Sequence, residues 1–240
     1  KKAWQENHNV CLYPSFNVQQ QDAFLTESIA KNPNTHVLII NPNNPTAEFW
    51  LPKQLEQLST ELLRKAGPNA LMLVDEAFAD SRRSEDSVIA SELENVIVLR
   101  SLGKFYGLAG LRLGFVIGRH PSLAALRTLL EPWSVSSPAV YLGAMALRDK
   151  AWQTKQRQRL SASSSQLQLI CEKRFSFSTI CVGDLFVTIF DSAEVLESVH
   201  TLAAENGLLL RYGSIDATQS WIRVGLADDG FARLQQHWNR

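Results

Sequence analysis

The chain has 240 residues, 45% of them hydrophobic, and its 24 basic and 24 acidic side chains balance to a formal net charge of zero. That length buries an ordinary core in one large domain or one and a half, and the even charge excludes a basic field for nucleic acid or a charged tail. Cys11, Cys171 and Cys181, odd in number and at no zinc-like spacing, argue against a disulfide framework or metal site and fit a reducing cytoplasm; with no apolar run near the roughly 18 residues of a membrane helix, a small molecule is the expected partner.

In chain order, residues 1–9 read as the end of a helix and 10–13 as a short strand. Residues 19–31 carry Ala23, Phe24, Ile29 and Ala30 at a helical period, stopped by Asn32-Pro33-Asn34. An apolar strand over 36–40 runs into Asn41-Pro42-Asn43-Asn44-Pro45-Thr46, with His36 an edge residue rather than a catalytic group. Pro52 suits the first turn of a helix whose Leu55, Leu58 and Leu62 share a face, and Gly67-Pro68-Asn69 ends it. The strand 70–74 then delivers Asp75-Glu76-Ala77-Phe78. Residues 95–99 and 113–117 are short, β-branched and predicted to be buried strands.

Strand, helix, strand in this order predicts a mostly parallel sheet covered by helices. Residues 122–130 follow as a helix broken by Pro132-Trp133, and one long helix is expected over 138–174 with a bend at the serines of 161–165. Strands over 177–181, 185–190, 208–211 and 221–226, with helices over 193–205 and 229–238, make the last third a small α+β domain. Trp221 reads as a core residue. The division expected is a large domain over 1–150 and a small C-terminal one over 151–240.

Each polar motif starts where a buried strand ends, and in open parallel sheets that is where ligands bind. The third motif, Arg100-Ser101-Leu102-Gly103-Lys104-Phe105-Tyr106-Gly107-Leu108-Ala109-Gly110-Leu111-Arg112-Leu113-Gly114, sets one lysine three residues after a serine and eight before an arginine, among four glycines. A lysine walled by Phe105, Tyr106 and Leu108 sheds its proton more easily than one in water and suits a Schiff base with an aldehyde cofactor. Ser101 and Arg112 would then hold a phosphate, the arginine by a two-pronged contact. The plainer alternative is a solvated lysine on a turn and an arginine paired with a surface carboxylate.

Asn44-Pro45-Thr46, Asp75-Glu76-Ala77-Phe78 and Ser101-Leu102-Gly103-Lys104 with Arg112 together resemble the pyridoxal phosphate (PLP) enzymes of the aspartate aminotransferase fold. Residues 101–112, Glu131-Pro132-Trp133-Ser134-Val135-Ser136-Ser137-Pro138-Ala139, Asp184-Leu185-Phe186 and Ser220-Trp221-Ile222-Arg223-Val224-Gly225-Leu226 resemble, within that fold, the threonine-phosphate decarboxylases of cobalamin biosynthesis. The likeness runs over nearly the whole chain.

The resemblance implies an α/β fold, PLP-dependent transferase fold type I, with a mostly parallel sheet, flanking helices and a small C-terminal α+β domain. It assigns Lys104 as the Schiff-base amine that later reprotonates Cα, and Asp75 as the partner of the pyridine nitrogen. Asn44 would donate to the phenolic oxygen, Ser101 and Arg112 would hold the cofactor phosphate, and Arg223 would bind the substrate α-carboxylate; no metal takes part. Phe78, where many relatives carry tyrosine, departs toward the decarboxylases, and Ala47, where glycine is usual, alters only the local turn.

The activity implied is decarboxylation of L-threonine O-3-phosphate to (R)-1-amino-2-propanol O-2-phosphate, in the cytoplasm, by a homodimer with no nucleic-acid or membrane partner. A histidinol-phosphate-type aminotransferase would share the same residues, and a non-catalytic remnant of the fold is the alternative of a different class. Against this family the chain is expected to lack the first part of the cofactor domain, leaving apolar surface near residues 10–16 uncovered.

Overall fold

The structure, a computed structural model, describes residues 9–12, 18–32, 34–130, 132–227 and 231–238, with backbone only at Gln19 and His237. Three short apolar runs, β1 (Val37–Ile40), β2 (Met72–Asp75) and β3 (Val96–Ser101), pair in parallel in that order, and β4 (Gly114–Gly118) joins β3 in antiparallel sense. Helix α1 (Val18–Lys31) precedes β1, and α2 (Pro52–Ala66) forms the crossover from β1 to β2. The ends of α2 follow its sequence. Proline opens it, the Leu51 N–H donates to the Gln54 side chain at 2.8 Å, and Gly67 at φ 95° closes it with its N–H on the Leu63 carbonyl.

Leu55, Leu58 and Leu62 are buried against Leu25 and Ile29 of α1 and an inward row of Val37, Ile39, Met72, Val74, Val96 and Val98. Each such leucine contributes roughly 2 kcal/mol through removal from water. Strand alternation carries that row on to Glu76 and Arg100, and turns Asp75 and Ser101 to the opposite face. Pairing continues one step past β2, with the Glu76 N–H on the Leu99 carbonyl at 2.9 Å.

After α3 (Ser122–Leu129), helices α4 (Ser137–Arg148) and α5 (Lys150–Arg174) lead to a second, antiparallel sheet. Its strands β5 (Thr179–Gly183), β6 (Phe186–Ser192), β7 (Arg211–Ser214) and β8 (Gln219–Gly225) lie in the order β5-β6-β8-β7. Leu167 and Cys171 of α5, Leu196 and Val199 of α6 (Ala193–Glu205) and Trp238 of α7 (Ala232–Trp238) close a separate core on Val187, Ile189, Ile222 and Val224.

Several expectations change. The single helix over 138–174 is two, because Asp149 leaves the helical region at ψ 76° and its carboxylate caps Trp152 N–H at 2.9 Å. The serines of 161–165 stay helical, with Ser164 turned to the Gly183 carbonyl at 2.8 Å. The strand expected over 208–211 starts only at Arg211, since Gly207 at φ 70° ends α6 and the Leu208 N–H still serves the Ala203 carbonyl. The strand expected to be buried over 113–117 is β4 at one edge of the sheet, and none of its residues is buried.

Trp221 is half-buried, laid over Gly213, where a Cβ would stand 2.3 Å from its ring. Residues 9–12 form no strand, and Leu12 is 64% exposed. The helix end over 1–8 and residues 13–17 lie outside the described residues.

Candidate active site

Parallel pairing gathers the predicted residues at one edge of the first sheet. Asn44 follows β1 by four residues, Asp75 ends β2, and Ser101 ends β3 opposite Gly114. Because β4 runs back, Arg112 returns to the same edge, in left-handed backbone at φ 50° as the cap of a short 3-10 turn. The Asn41 N–H donates to the Asp75 carbonyl at 2.8 Å, tying the Asn41–Thr46 loop to β2.

The lysine loop is anchored from beneath. Phe105 and Tyr106 are buried with Leu102 and Leu160, and both rings meet Trp152 of α5, at 5.5 and 5.9 Å. Gly107, at φ 68°, makes the reversal that sends the Leu108 N–H back to the Leu102 carbonyl. The expected wall of Phe105 and Tyr106 around the amine is therefore absent, because those rings point into the core. Lys104 is exposed, and among the described residues the ring beside its Nζ is that of Phe78, 5.1 Å to the centroid.

From Phe78 the contacts continue into the second sheet. Phe78 meets Phe186 edge-on at 5.7 Å, and the Arg223 guanidinium stands 5.2 Å over Phe186. Arg223 Nη1 donates to Asn44 Oδ1 at 2.6 Å, which leaves the Asn44 amide N–H groups for another acceptor. Beside it Thr188, fully buried, donates to the Pro45 carbonyl at 2.7 Å. The half-buried Arg223 is thus a bridge between the two sheets and not an exposed strand arginine.

Burial, and then the nearby Arg211, lower the Arg223 pKa from its ordinary value. Arg211 of β7 sits directly opposite Arg223 in register, so both side chains leave the same face. Like charges so placed repel, and an anion between them removes that cost. By sequence Arg211 is a strand residue and nothing more. Its signal lay in the pairing of β7 with β8, which local sequence does not display.

Among the described residues the set is largely uncommitted. Lys104 and Arg112 have no carboxylate at ion-pair distance, and the Arg112 guanidinium bonds only the Ala109 carbonyl, at 3.2 Å. Asp75 accepts the Ala77 N–H at 3.0 Å on one oxygen. Ser101 Oγ accepts the Gly103 N–H at 3.1 Å and keeps its own proton to donate. An amine, a carboxylate, a hydroxyl, an amide and the Arg112 guanidinium at this edge, with Arg223 reaching Asn44 from the second sheet, match the groups that PLP demands. No group of three His, Cys, Asp or Glu able to hold a metal occurs among the described residues, and none of their helices is long and apolar enough to cross a membrane.

Residues 9–230 match the family described as aminotransferase class I and II. The chain belongs to that family. It is 38% identical over 200 residues to the threonine-phosphate decarboxylase of Pseudomonas aeruginosa, covering 82% of this chain and 58% of that protein. It is 28% identical over 219 residues to histidinol-phosphate aminotransferase 1 of Psychrobacter arcticus, covering 85% and 55%. The chain therefore spans just over half the length of these curated relatives. In fold it is similar to the histidinol-phosphate aminotransferase of Clostridium acetobutylicum, with a TM-score of 0.82 at 15% identity, covering 99% of this chain and 73% of that one.

Proposed function

We propose that this chain carries much of the active site of a PLP-dependent enzyme that decarboxylates L-threonine O-3-phosphate to (R)-1-amino-2-propanol O-2-phosphate in cobalamin biosynthesis. When bound, PLP supplies an aldehyde and an electron-accepting ring. Lys104 is the amine that engages the aldehyde and returns a proton to the substrate Cα. Asp75 holds the ring nitrogen in its protonated form, and the free N–H of Asn44 donates to the phenolic oxygen. Ser101 and Arg112 bind the cofactor phosphate.

Arg223 binds the substrate α-carboxylate through its fork. The observation that carries the substrate class is the in-register pair Arg211 and Arg223, of which Arg223 is linked to Lys104 through the rings of Phe186 and Phe78. Two facing cations suit a substrate with two anionic groups, and phosphothreonine has both a carboxylate and a phosphate. In this reading residues 1–150 belong to the large cofactor-binding unit and 151–240 to the small one, in a cytoplasmic homodimer.

A histidinol-phosphate aminotransferase is the second reading, favoured by the similarity to the Psychrobacter arcticus protein. Product analysis of the complete protein with PLP, given L-threonine O-3-phosphate and, separately, histidinol phosphate, separates them. The proposal expects CO2 and the amine phosphate without an oxo-acid acceptor. Formation of an oxo product that depends on such an acceptor supports the aminotransferase, and no turnover of either substrate supports a remnant that has lost its chemistry.

A further inference from the structure

One charged cluster lies behind the site and takes no part in the roles above. Glu76 has a fully buried side chain, and Arg100 is 15% exposed. Arg100 reaches Glu76 at 2.8 Å with Nη2 and Asp80 at 2.7 Å with Nη1. Glu76 also accepts the Ser87 hydroxyl at 2.6 Å and the Val88 N–H at 3.1 Å. Arg157 of α5 donates from Nε to the Asp80 and Arg82 carbonyls, each at 3.1 Å. The cluster thus clasps the ends of β2 and β3, the 76–82 turn and α5.

A stability role accounts for this poorly. Glu76 and Arg100 extend the inward row of Val74 and Val98, where an apolar pair would avoid desolvating two charges, and buried ion pairs are often no more stable than apolar replacements. What the pair supplies is direction. Glu76 adjoins Asp75, Arg100 adjoins Ser101, and alternation puts the two neighbours on the opposite face of the same two strand ends. The clasped turn also carries Phe78, the ring beside Lys104.

We infer that Arg100 is a positioning residue, whose two-pronged hold on Glu76 and Asp80 fixes the spacing between Asp75 and the Ser101–Lys104 loop that the cofactor must bridge. The inference rests on the assignment of Asp75 and Lys104 above. An apolar pair would fill the same volume without setting the angle of either strand end, whereas a guanidinium fork bonded to two carboxylates has one geometry.

The test uses the complete protein, titrated with PLP and followed by its visible absorption and by melting of the cofactor-free form. Arg100→Met is expected to lower the melting temperature, because it strands a buried carboxylate. Glu76→Gln with Arg100→Met removes the fully buried carboxylate together with its partner and is expected to recover much of the melting temperature, Asp80 being partly exposed, yet to keep a PLP dissociation constant at least about tenfold above the parent's and a displaced absorption band.

Arg100→Lys, which keeps the charge and loses the fork, is expected to melt near the parent and bind PLP about tenfold more weakly. Parent-like affinity and spectrum in the double variant, or in Arg100→Lys, overturn the inference and leave the cluster a stability role. Absence in the parent of any band that Lys104→Ala removes overturns the lysine assignment itself, and the inference with it.

Discussion

Replacing Arg223 by lysine separates substrate binding from cofactor binding. The guanidinium spends one Nη1 donor on Asn44 Oδ1 at 2.6 Å and lies 5.2 Å over Phe186, which leaves its remaining donors for a substrate carboxylate. Lysine keeps the charge but offers three donors from one point, with no fork to match a carboxylate. Losing one hydrogen bond to a charged group costs about 1.5–3 kcal/mol, or roughly ten- to a hundredfold in KM for the amino acid.

The surroundings add a pH dependence. Burial and Arg211 already lower the Arg223 pKa, and both act on a lysine placed there, whose ordinary value is about 10.4 and nearer the working range. The KM of the variant is therefore expected to rise further toward alkaline pH while the parent's does not. Steady-state kinetics over a pH series, with PLP content measured by absorbance in each sample, test this. Cofactor loss equal to the substrate defect would refute the reasoning, because Arg223 would then support the fold instead of the substrate.

Asp75→Asn is expected to retain PLP but lose most turnover, since a neutral amide does not hold the pyridine nitrogen in its charged form; near-normal kcat would remove Asp75 from the mechanism. Ala47 sits at φ 58°, a left-handed conformation that costs a residue with a Cβ about 1–2 kcal/mol. Glycine relieves this but loses more chain entropy on folding, so Ala47→Gly is expected to stabilise by about 0.5–1 kcal/mol, read as a higher urea midpoint. A lower midpoint would show that its methyl packing is worth more than the strain.

Burial raises the Asp80 pKa, against the pull of Arg100. A folded-state value above the unfolded one means that the folded chain keeps this proton longer, so the group's contribution to stability falls as pH rises between the two values. Asp80→Asn is expected to flatten that part of the melting-temperature profile across the carboxylate range, and an unchanged slope would place the dependence elsewhere.

Local chemistry made much of this protein legible in its sequence. The leucines of α2 reveal their face through spacing, Pro52 and Gly67 mark its ends, and the three polar motifs stand where short apolar strands stop, so parallel pairing collects them without further information. Arg112 was readable for the same reason, because a lone arginine just before a strand returns to the edge its partner strand leaves.

Tertiary structure decided what depends on pairing between distant segments. Phe105 and Tyr106 flank Lys104 in the chain but turn to Trp152, while Phe78, 26 positions earlier, supplies the ring beside the amine. Asn44 meets Arg223 across 179 positions, and Arg211 faces Arg223 only through the register of β7 on β8. Glu76 and Arg100 read as ordinary polar neighbours of the motif residues until strand alternation places them in the buried row. Periodicity fixes which face of its own element a side chain takes, and only the packing of elements determines which face it meets.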